Sequence, residues 1–165
     1  MRKNVLCTAI VLISAAVTVY AAHRIYQEHS EYREGVDSYS VLETYIKEPQ
    51  TEPIPEESKP EQDEMSENAI TWPVVDFVAL KSINSDCVAW IRIDETEIDY
   101  PVVQGYDNSF YLKHLFDGEW NSAGCIFLDS RVNPDLSDRH SVLYGHHMKN
   151  GTMFSDIADY KDQTY

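Results

Sequence analysis

The chain has 165 residues, which fits one domain together with accessory segments. Its 28 acidic residues outnumber 13 basic ones and give a formal net charge of −15. We therefore predict no nucleic-acid partner, because binding to phosphate backbones requires a basic surface.

The amino terminus begins with the basic residues Arg2 and Lys3, and residues 5–22 then contain no charged side chain. As a helix, this run would span roughly 27 Å at ~1.5 Å per residue, close to the ~30 Å of a bilayer core. We predict a transmembrane signal anchor over residues 1–24. The basic start favours a cytoplasmic amino terminus, so the chain would be a single-pass cell-membrane protein with an extracytoplasmic domain. A cleaved signal peptide is the alternative.

The segment after the anchor shows a helical period. Apolar and aromatic residues recur at intervals of seven, at Ile25, Tyr32, Tyr39 and Ile46. This spacing predicts an amphipathic juxtamembrane helix over residues 25–47 that docks on the domain. A coiled-coil dimer is less favoured because tyrosines pack poorly in such a seam. Gly35, in the middle, argues against a continuous helix.

Residues 48–69 form an acidic, proline-rich segment. Eight acidic residues and one lysine, a net charge of −7, lie between Glu48 and Glu67 with four of the seven prolines. Such a composition buries too little apolar surface to offset its ordering entropy. We predict a disordered linker that acts as a spacer, with a decoy for a basic partner as the alternative.

Residues 70–165 have the pattern of a mostly β domain with added helices. The predicted strands are residues 88–93, 99–104, 124–129 and 141–145, and Pro101 suggests an edge position for the second strand or an irregular start to it. Four strands are too few to close a barrel.

Three helical stretches accompany these strands. One places Val74, Phe77, Leu80 and Ile83 on a single face and stops at Asn84. A short helix over residues 106–114 would be capped by Asp107 or Asn108. A third would start at Thr152 as its cap, with Met153, Phe154 and Ile157 facing inward.

The cysteines and histidines are the candidate reactive groups. We expect Cys87 and Cys125 to be unpaired, half-buried thiols, although a disulfide between them stays open. The strand ending in Gly145 places the His146 imidazole at the rim of a sheet, where it can exchange a proton near neutral pH. A zinc site is the other option, but the spacing of the histidines matches no familiar ligand set, and we predict neither a metal nor a cofactor. The histidines concerned are His140, His146 and His147.

Four stretches, taken together and in order, resemble the class B sortases, the membrane-anchored cysteine transpeptidases of Gram-positive bacteria. They read VAWIRIDETEIDYPVVQ (88–104), DNSFYLKH (107–114), GCIFLDSR (124–131) and LYGHHMKNGTMF (143–154). The resemblance implies that residues 70–165 are the amino-terminal part of a catalytic domain. The fold would be a partial sortase-type β-barrel, preceded by a transmembrane helix and an amphipathic helix.

The resemblance also implies a reaction and its residues. In the family, a cysteine thiolate cleaves the sorting signal of a surface protein and forms a thioacyl enzyme, which an amine of peptidoglycan or of a pilin then resolves. The catalytic histidine follows the glycine of a Gly-His pair and maps to His146. Substrate-binding positions map to Asn108, Leu112 and Tyr144.

The chain departs from the family pattern beyond the histidine. The family cysteine lies in a Thr-Leu-x-Thr-Cys strand after the histidine, and its oxyanion-stabilising arginine comes later still. Here no cysteine follows Cys125, while Arg131 and Arg139 precede His146. We expect a carboxy-terminally truncated sortase that is inactive alone, with the missing motifs encoded downstream. The alternative is a membrane-tethered, non-catalytic module that binds sorting signals.

Overall fold

The computed structural model describes residues 2–47 and 73–161, so the predicted linker at 48–69 lies outside the described residues. Within these residues, two α-helices, six strands and two short 3₁₀ helices, which we call 3₁₀ turns, follow one another. The helices are α1 (Arg2–Glu43) and α2 (Phe77–Ile83), and the 3₁₀ turns are Phe110–Leu112 and Ser155–Lys161. The strands are β1 (Ile46–Lys47), β2 (Val74–Val75), β3 (Cys87–Arg92), β4 (Asp99–Val103), β5 (Ile126–Leu128) and β6 (Leu143–Tyr144).

The main sheet has the order β3-β4-β5-β6. Strands β3 and β4 form an antiparallel hairpin, β4 and β5 run parallel, and β5 and β6 are antiparallel. Each strand matches a predicted one to within a few residues, because β-branched and aromatic residues fit a pleated, half-buried surface. The prediction of a β domain with added helices is confirmed.

Strand β4 does not lie at the edge that Pro101 suggested. It is flanked by β3 and β5, and Pro101 is fully buried. The parallel pairing with β5 begins only at Val102, so the missing N–H of Pro101 does not interrupt that ladder. The edge position was therefore wrong, whereas the late start of the pairing with β5 agrees with the other alternative, an irregular start to the strand.

The helical predictions are partly correct. Helix α2 ends at Asn84 as expected, and the Asp76 carboxylate caps it by accepting from the Ala79 N–H at 3.0 Å. Of its predicted apolar face, only Leu80 is buried, while Phe77 and Ile83 stay partly exposed. A helix of only seven residues, about two turns, offers too little length to bury a full stripe.

The two other predicted helices are 3₁₀ turns. Asp107 caps the first, accepting from the Phe110 N–H at 2.9 Å. In the second, the Thr152 hydroxyl donates to the Asn150 side chain at 2.8 Å, so it does not cap the turn as predicted. Met153 is buried there as expected, but Ile157 is exposed.

Helix α1 runs without a break through Gly35, the residue that weakened the prediction of a helix over residues 25–47. Its carboxy-terminal part packs on the domain, with Tyr39 and Leu42 buried, whereas Ile25 is exposed. Gly35 faces the domain, since a methyl group in its place would be in ordinary contact with Ala123, at 3.5 Å. The docking of this helix on the domain is confirmed. In the described part of the chain, α1 is the one helix whose length and composition would let it cross a membrane.

Strands β1 and β2 form a separate two-stranded ribbon. Ile46 pairs with Val75 and Lys47 with Val74, in antiparallel register. Lys47 and Val74, which flank the predicted linker, therefore lie next to each other. The predicted boundaries at residues 24, 47 and 69 stay predictions.

A left-handed glycine offers a first test of this fold. Gly124 has φ +60°, and a Cβ there would lie 2.5 Å from the Tyr111 carbonyl oxygen. We expect Gly124→Ala to lower the free energy of unfolding by at least about 2 kcal/mol, from backbone strain and steric overlap together. Urea denaturation monitored by circular dichroism measures this change.

Gly118→Ala is the matched control. Gly118 also has positive φ, at +87°, but a Cβ there would meet no atom within 4 Å. We expect Gly118→Ala to lower the free energy of unfolding by only about 1 kcal/mol, because the left-handed backbone conformation is strained for alanine. Equal losses in the two variants would show that the contact with Tyr111 carries no energy.

Candidate functional site

The end of strand β6 places His146 against the 3₁₀ turn. Gly145, between Tyr144 and His146, packs against the Ile126 side chain and the Phe154 ring, and a Cβ there would overlap both. Only glycine therefore allows the chain to leave the sheet at this close distance. The His146 carbonyl oxygen then accepts from the Phe154 N–H at 2.9 Å, which fixes the backbone on the far side.

The partly buried His146 ring makes one short hydrogen bond. Its Nε2 lies 2.7 Å from the carbonyl oxygen of Leu112. A carbonyl oxygen only accepts, so Nε2 carries the hydrogen and, in the neutral ring, Nδ1 carries the lone pair. This arrangement leaves Nδ1 as the nitrogen that can take up and release a proton.

A buried carboxylate lies at the end of β5, beside β6. Asp129 accepts from the Tyr144 hydroxyl at 2.9 Å, and from Arg131 Nε at 2.9 Å and Nη2 at 2.6 Å. These hydrogen bonds, chiefly those from Arg131, hold the pKa of the Asp129 carboxyl well below its usual range. The Arg131 side chain is itself largely exposed, and the carboxylate raises the pKa of its guanidinium.

The structure groups the four predicted site residues in two pairs. His146 meets Leu112 through the Leu112 backbone carbonyl rather than its side chain. Tyr144 and Asn108 instead meet the turn that follows β5, because Asn108 Oδ1 accepts from the Ser130 N–H at 2.8 Å. Their roles as catalytic and substrate-binding residues stay predictions.

Sequence reasoning missed Asp129 as the centre of the second pair. A carboxylate placed directly after an apolar strand, with an arginine two residues later, is the signal that would have indicated it. A buried carboxylate requires such compensation, because desolvation otherwise favours its neutral form.

The two domain cysteines are unpaired, as predicted, but fully rather than half buried. Burial raises the pKa of Cys87 to about 11 and that of Cys125 to about 12. The Cys125 sulfur lies 3.1 Å from the Tyr39 hydroxyl oxygen of helix α1. Both thiols are therefore protonated, and poor nucleophiles, at neutral pH.

The histidines are not gathered around a common point. His140 and His147 are exposed, while His146 is partly buried. Among the described residues, no group of three or more His, Cys, Asp or Glu side chains is placed to hold a metal ion.

Comparisons with known proteins find sortases. The chain is 43% identical over 86 residues to sortase B of Listeria monocytogenes, which covers 52% of this chain and 35% of that protein. It is 32% identical over 127 residues to sortase B of Staphylococcus aureus, covering 77% of this chain and 52% of that protein. No family model matches the chain.

Solved structures give the same result. A crystal structure of sortase B from Bacillus anthracis superposes with a TM-score of 0.63 and 32% identity, over 82% of this chain and 57% of that one. A Streptococcus pyogenes class B sortase involved in pilus biogenesis gives 0.52 and 38%, over 55% of this chain and 50% of that one. The chain thus spans about half the length, or less, of the relatives it matches.

The shared fold and sequence make the chain a member of the sortase family. Its relatives are sortase B proteins, so it belongs to class B over the segment that it shares with them.

The Asp129 network predicts a specific pH dependence. Since the folded-state pKa of Asp129 is depressed, its stabilisation is fully present above the ordinary aspartate value of ~3.9 and is lost as the pH falls towards the folded value. We expect Asp129→Asn to lower the urea concentration at the unfolding midpoint at pH 7. The difference in midpoint between the variant and the parent protein should become smaller below about pH 4. Asp94→Asn, in an exposed turn, is the control and should leave the midpoint unchanged. If the difference in midpoint between Asp129→Asn and the parent protein stayed constant down to acid pH, the Asp129 carboxylate would not be the source of the stabilisation.

The cysteine burial predicts slow thiol chemistry. In a Cys7→Ser variant, which keeps only the two buried thiols, we expect negligible labelling by a thiol-specific disulfide reagent at pH 8 and complete labelling after denaturation. With a pKa of about 12, only about one Cys125 in 10⁴ would be ionised at that pH. The absorbance of the thiol released from the reagent measures the rate of labelling in the native and in the denatured protein. Rapid labelling of the native protein would show that Cys87 and Cys125 are accessible.

Proposed function

We propose that this chain contributes the anchor and the histidine-bearing part of a class B sortase, a cysteine transpeptidase that attaches surface proteins to the cell wall or to pili. The observation that carries the proposal is the fixed His146 ring at the end of β6, inside the segment shared with sortase B proteins. Its substrates would be the sorting-signal peptide of a surface protein and an amine of peptidoglycan or a pilin. Helix α1 would hold the protein in the membrane, with the domain outside.

His146 would act as the general acid that protonates the leaving amine. Its Nε2 is occupied by the Leu112 carbonyl, so the proton would pass through Nδ1. General acid–base catalysis of this kind contributes typically about 10²- to 10⁴-fold to a rate. Asn108, Leu112 and Tyr144 would line the substrate side, with the aromatic ring of Tyr144 held in place by its bond to Asp129.

The nucleophile would come from outside the described residues. A reactive cysteine must ionise, and the burial that raises the pKa values of Cys87 and Cys125 makes both unsuitable. The printed sequence contains no cysteine after Cys125, whereas the family cysteine follows the histidine. We therefore propose that this chain alone has no transpeptidase activity.

A second candidate is a membrane-tethered module that binds sorting signals without cleaving them. It is favoured because this chain itself supplies the partners that hold His146 and Asp129, while its two domain thiols are buried. Fluorescence anisotropy of a labelled sorting peptide, titrated with the full chain in detergent micelles, would detect such binding.

A chimera tests the role of His146. We would fuse the chain, up to Lys161, at the matching position to the carboxy-terminal part of Staphylococcus aureus sortase B. We expect the chimera to transfer a sorting peptide to an amine acceptor, because the fusion restores the family's cysteine and arginine. His146→Gln should lower the rate by about 10²- to 10⁴-fold. Chromatography of the peptide products gives the rates.

His147→Gln is the matched control for this experiment. His147 is the next residue along, but it is exposed and its imidazole makes no comparable bond to the turn. We expect its rate within a few-fold of the parent chimera. The assignment is wrong if His147→Gln abolishes transfer and His146→Gln does not, and cleavage by the unfused chain would show that one of its own thiols is the nucleophile.

A further inference from the structure

One stripe of helix α1 binds a single loop of the domain. Glu31, Gly35 and Tyr39 follow one another at intervals of four residues, so they lie on one face of the helix. All three contact residues 121–125, which we call the docking loop. The contacts are Asn121 Nδ2 to the Glu31 carbonyl (2.9 Å), Ser122 Oγ to the Glu31 carboxylate (2.9 Å), Gly35 against Ala123, and the Tyr39 hydroxyl to the Gly124 carbonyl (2.6 Å).

The docking loop in turn holds the 3₁₀ turn that faces His146. The Asn121 N–H donates to the Lys113 carbonyl and the Cys125 N–H to the Tyr111 carbonyl, each at 2.9 Å. Between these two bonds, Gly124 packs so closely that a Cβ would lie 2.7 Å from the Leu112 carbonyl oxygen. The position of the Leu112 carbonyl is therefore set by the loop that α1 binds.

The Leu112 carbonyl is the group that bonds to His146 Nε2, at 2.7 Å. A continuous path of contacts thus leads from Tyr39 through Gly124 and Leu112 to the imidazole. We propose that Tyr39 is a positioning residue for His146: the docked helix sets the carbonyl that keeps the proton on Nε2 and so leaves Nδ1 free for proton transfer. The inference takes the role of His146 from the proposed function, but its geometry and its test do not depend on activity.

Tyr39 is suited to this role by its surroundings. Its ring is buried and packs edge-on against Tyr100, with centroids 5.2 Å apart, so the hydroxyl is held in one place. A phenylalanine there would keep the ring and its packing and remove only the hydroxyl. The variant Tyr39→Phe therefore separates positioning from simple docking.

The experiment is nitrogen NMR on the full chain in detergent micelles, with ¹⁵N-labelled histidine, at a pH about two units above the ordinary histidine value of ~6.5. The His146 signals are assigned by their loss in His146→Gln. In the parent protein we expect a protonated Nε2 and an unprotonated Nδ1. In Tyr39→Phe we expect both signals to shift towards those of an exposed histidine, which exchanges between the two tautomers.

Two controls distinguish positioning from general loosening. His114 bonds through the opposite nitrogen, with Nδ1 2.7 Å from the Phe110 carbonyl oxygen. Because this bond joins two residues only four positions apart and includes no residue of the docking loop, the His114 signals should not change. Tyr32→Phe removes a hydroxyl that bonds only within α1, to Glu28, and should leave His146 unchanged. Should Tyr39→Phe fail to fold by circular dichroism, Ser122→Ala weakens the same docking and should give a smaller shift in the same direction.

An unchanged His146 tautomer in a folded Tyr39→Phe protein would overturn the inference, as would equal shifts of His114 and His146. Neither result would bear on the proposed function, which the transfer rates of the chimera decide separately. Conversely, if the His146→Gln chimera transferred the peptide at the parent rate, His146 would have no catalytic role. The effect of Tyr39→Phe on the His146 tautomer would still stand.

Discussion

The carbonyl group of Leu112 is the point on which the arrangement of this domain depends. It lies at the end of a 3₁₀ turn, it accepts a hydrogen bond from His146, and the left-handed backbone of Gly124 packs directly against it. A side chain at position 124 would overlap the turn, so the close approach requires glycine. Strand β6 leads to His146, helix α1 binds the docking loop, and His146 and the loop meet at this one oxygen.

Electrostatic compensation is the second organising feature. The protein carries a net charge of −15, yet its buried carboxylate at Asp129 is matched by the Arg131 guanidinium and the Tyr144 hydroxyl. Removing one member of such a group is costly, because it leaves the remaining buried partner without compensation. The bond from Tyr144 to Asp129 also joins the end of β6 to the end of β5, two residues before His146.

Much of this fold follows from local sequence patterns. The four strands of the main sheet were predicted because their β-branched and aromatic runs are short and bounded by turns, and the cap at Asp107 follows from known side-chain chemistry. What failed depended on tertiary contacts. Pro101 is tolerated in a central strand because of where β5 begins to pair, and α1 continues through Gly35 at a point where it faces Ala123 of the docking loop. No pattern in the sequence shows such neighbours.

The candidate site shows the same division. The Gly-His pair at the end of a strand predicted where His146 would lie, since a strand followed by glycine is a local signal. The partner of its ring, a backbone carbonyl 34 residues away, carries no side-chain signature and could not be predicted. The bond between Tyr144 and Asp129 could be predicted only by knowing that β5 and β6 are neighbours in the sheet.

The ribbon of β1 and β2 has a consequence for how this protein can change. Lys47 and Val74 are paired, so the described residues on either side of the acidic stretch lie next to each other. Mutations that neutralise the stretch would alter the isoelectric point, since it holds −7 of the formal −15 charge, while the two strands that flank it keep their pairing. The charge of the protein and the closure of this ribbon can therefore vary independently, and selection can adjust one while the other stays constant.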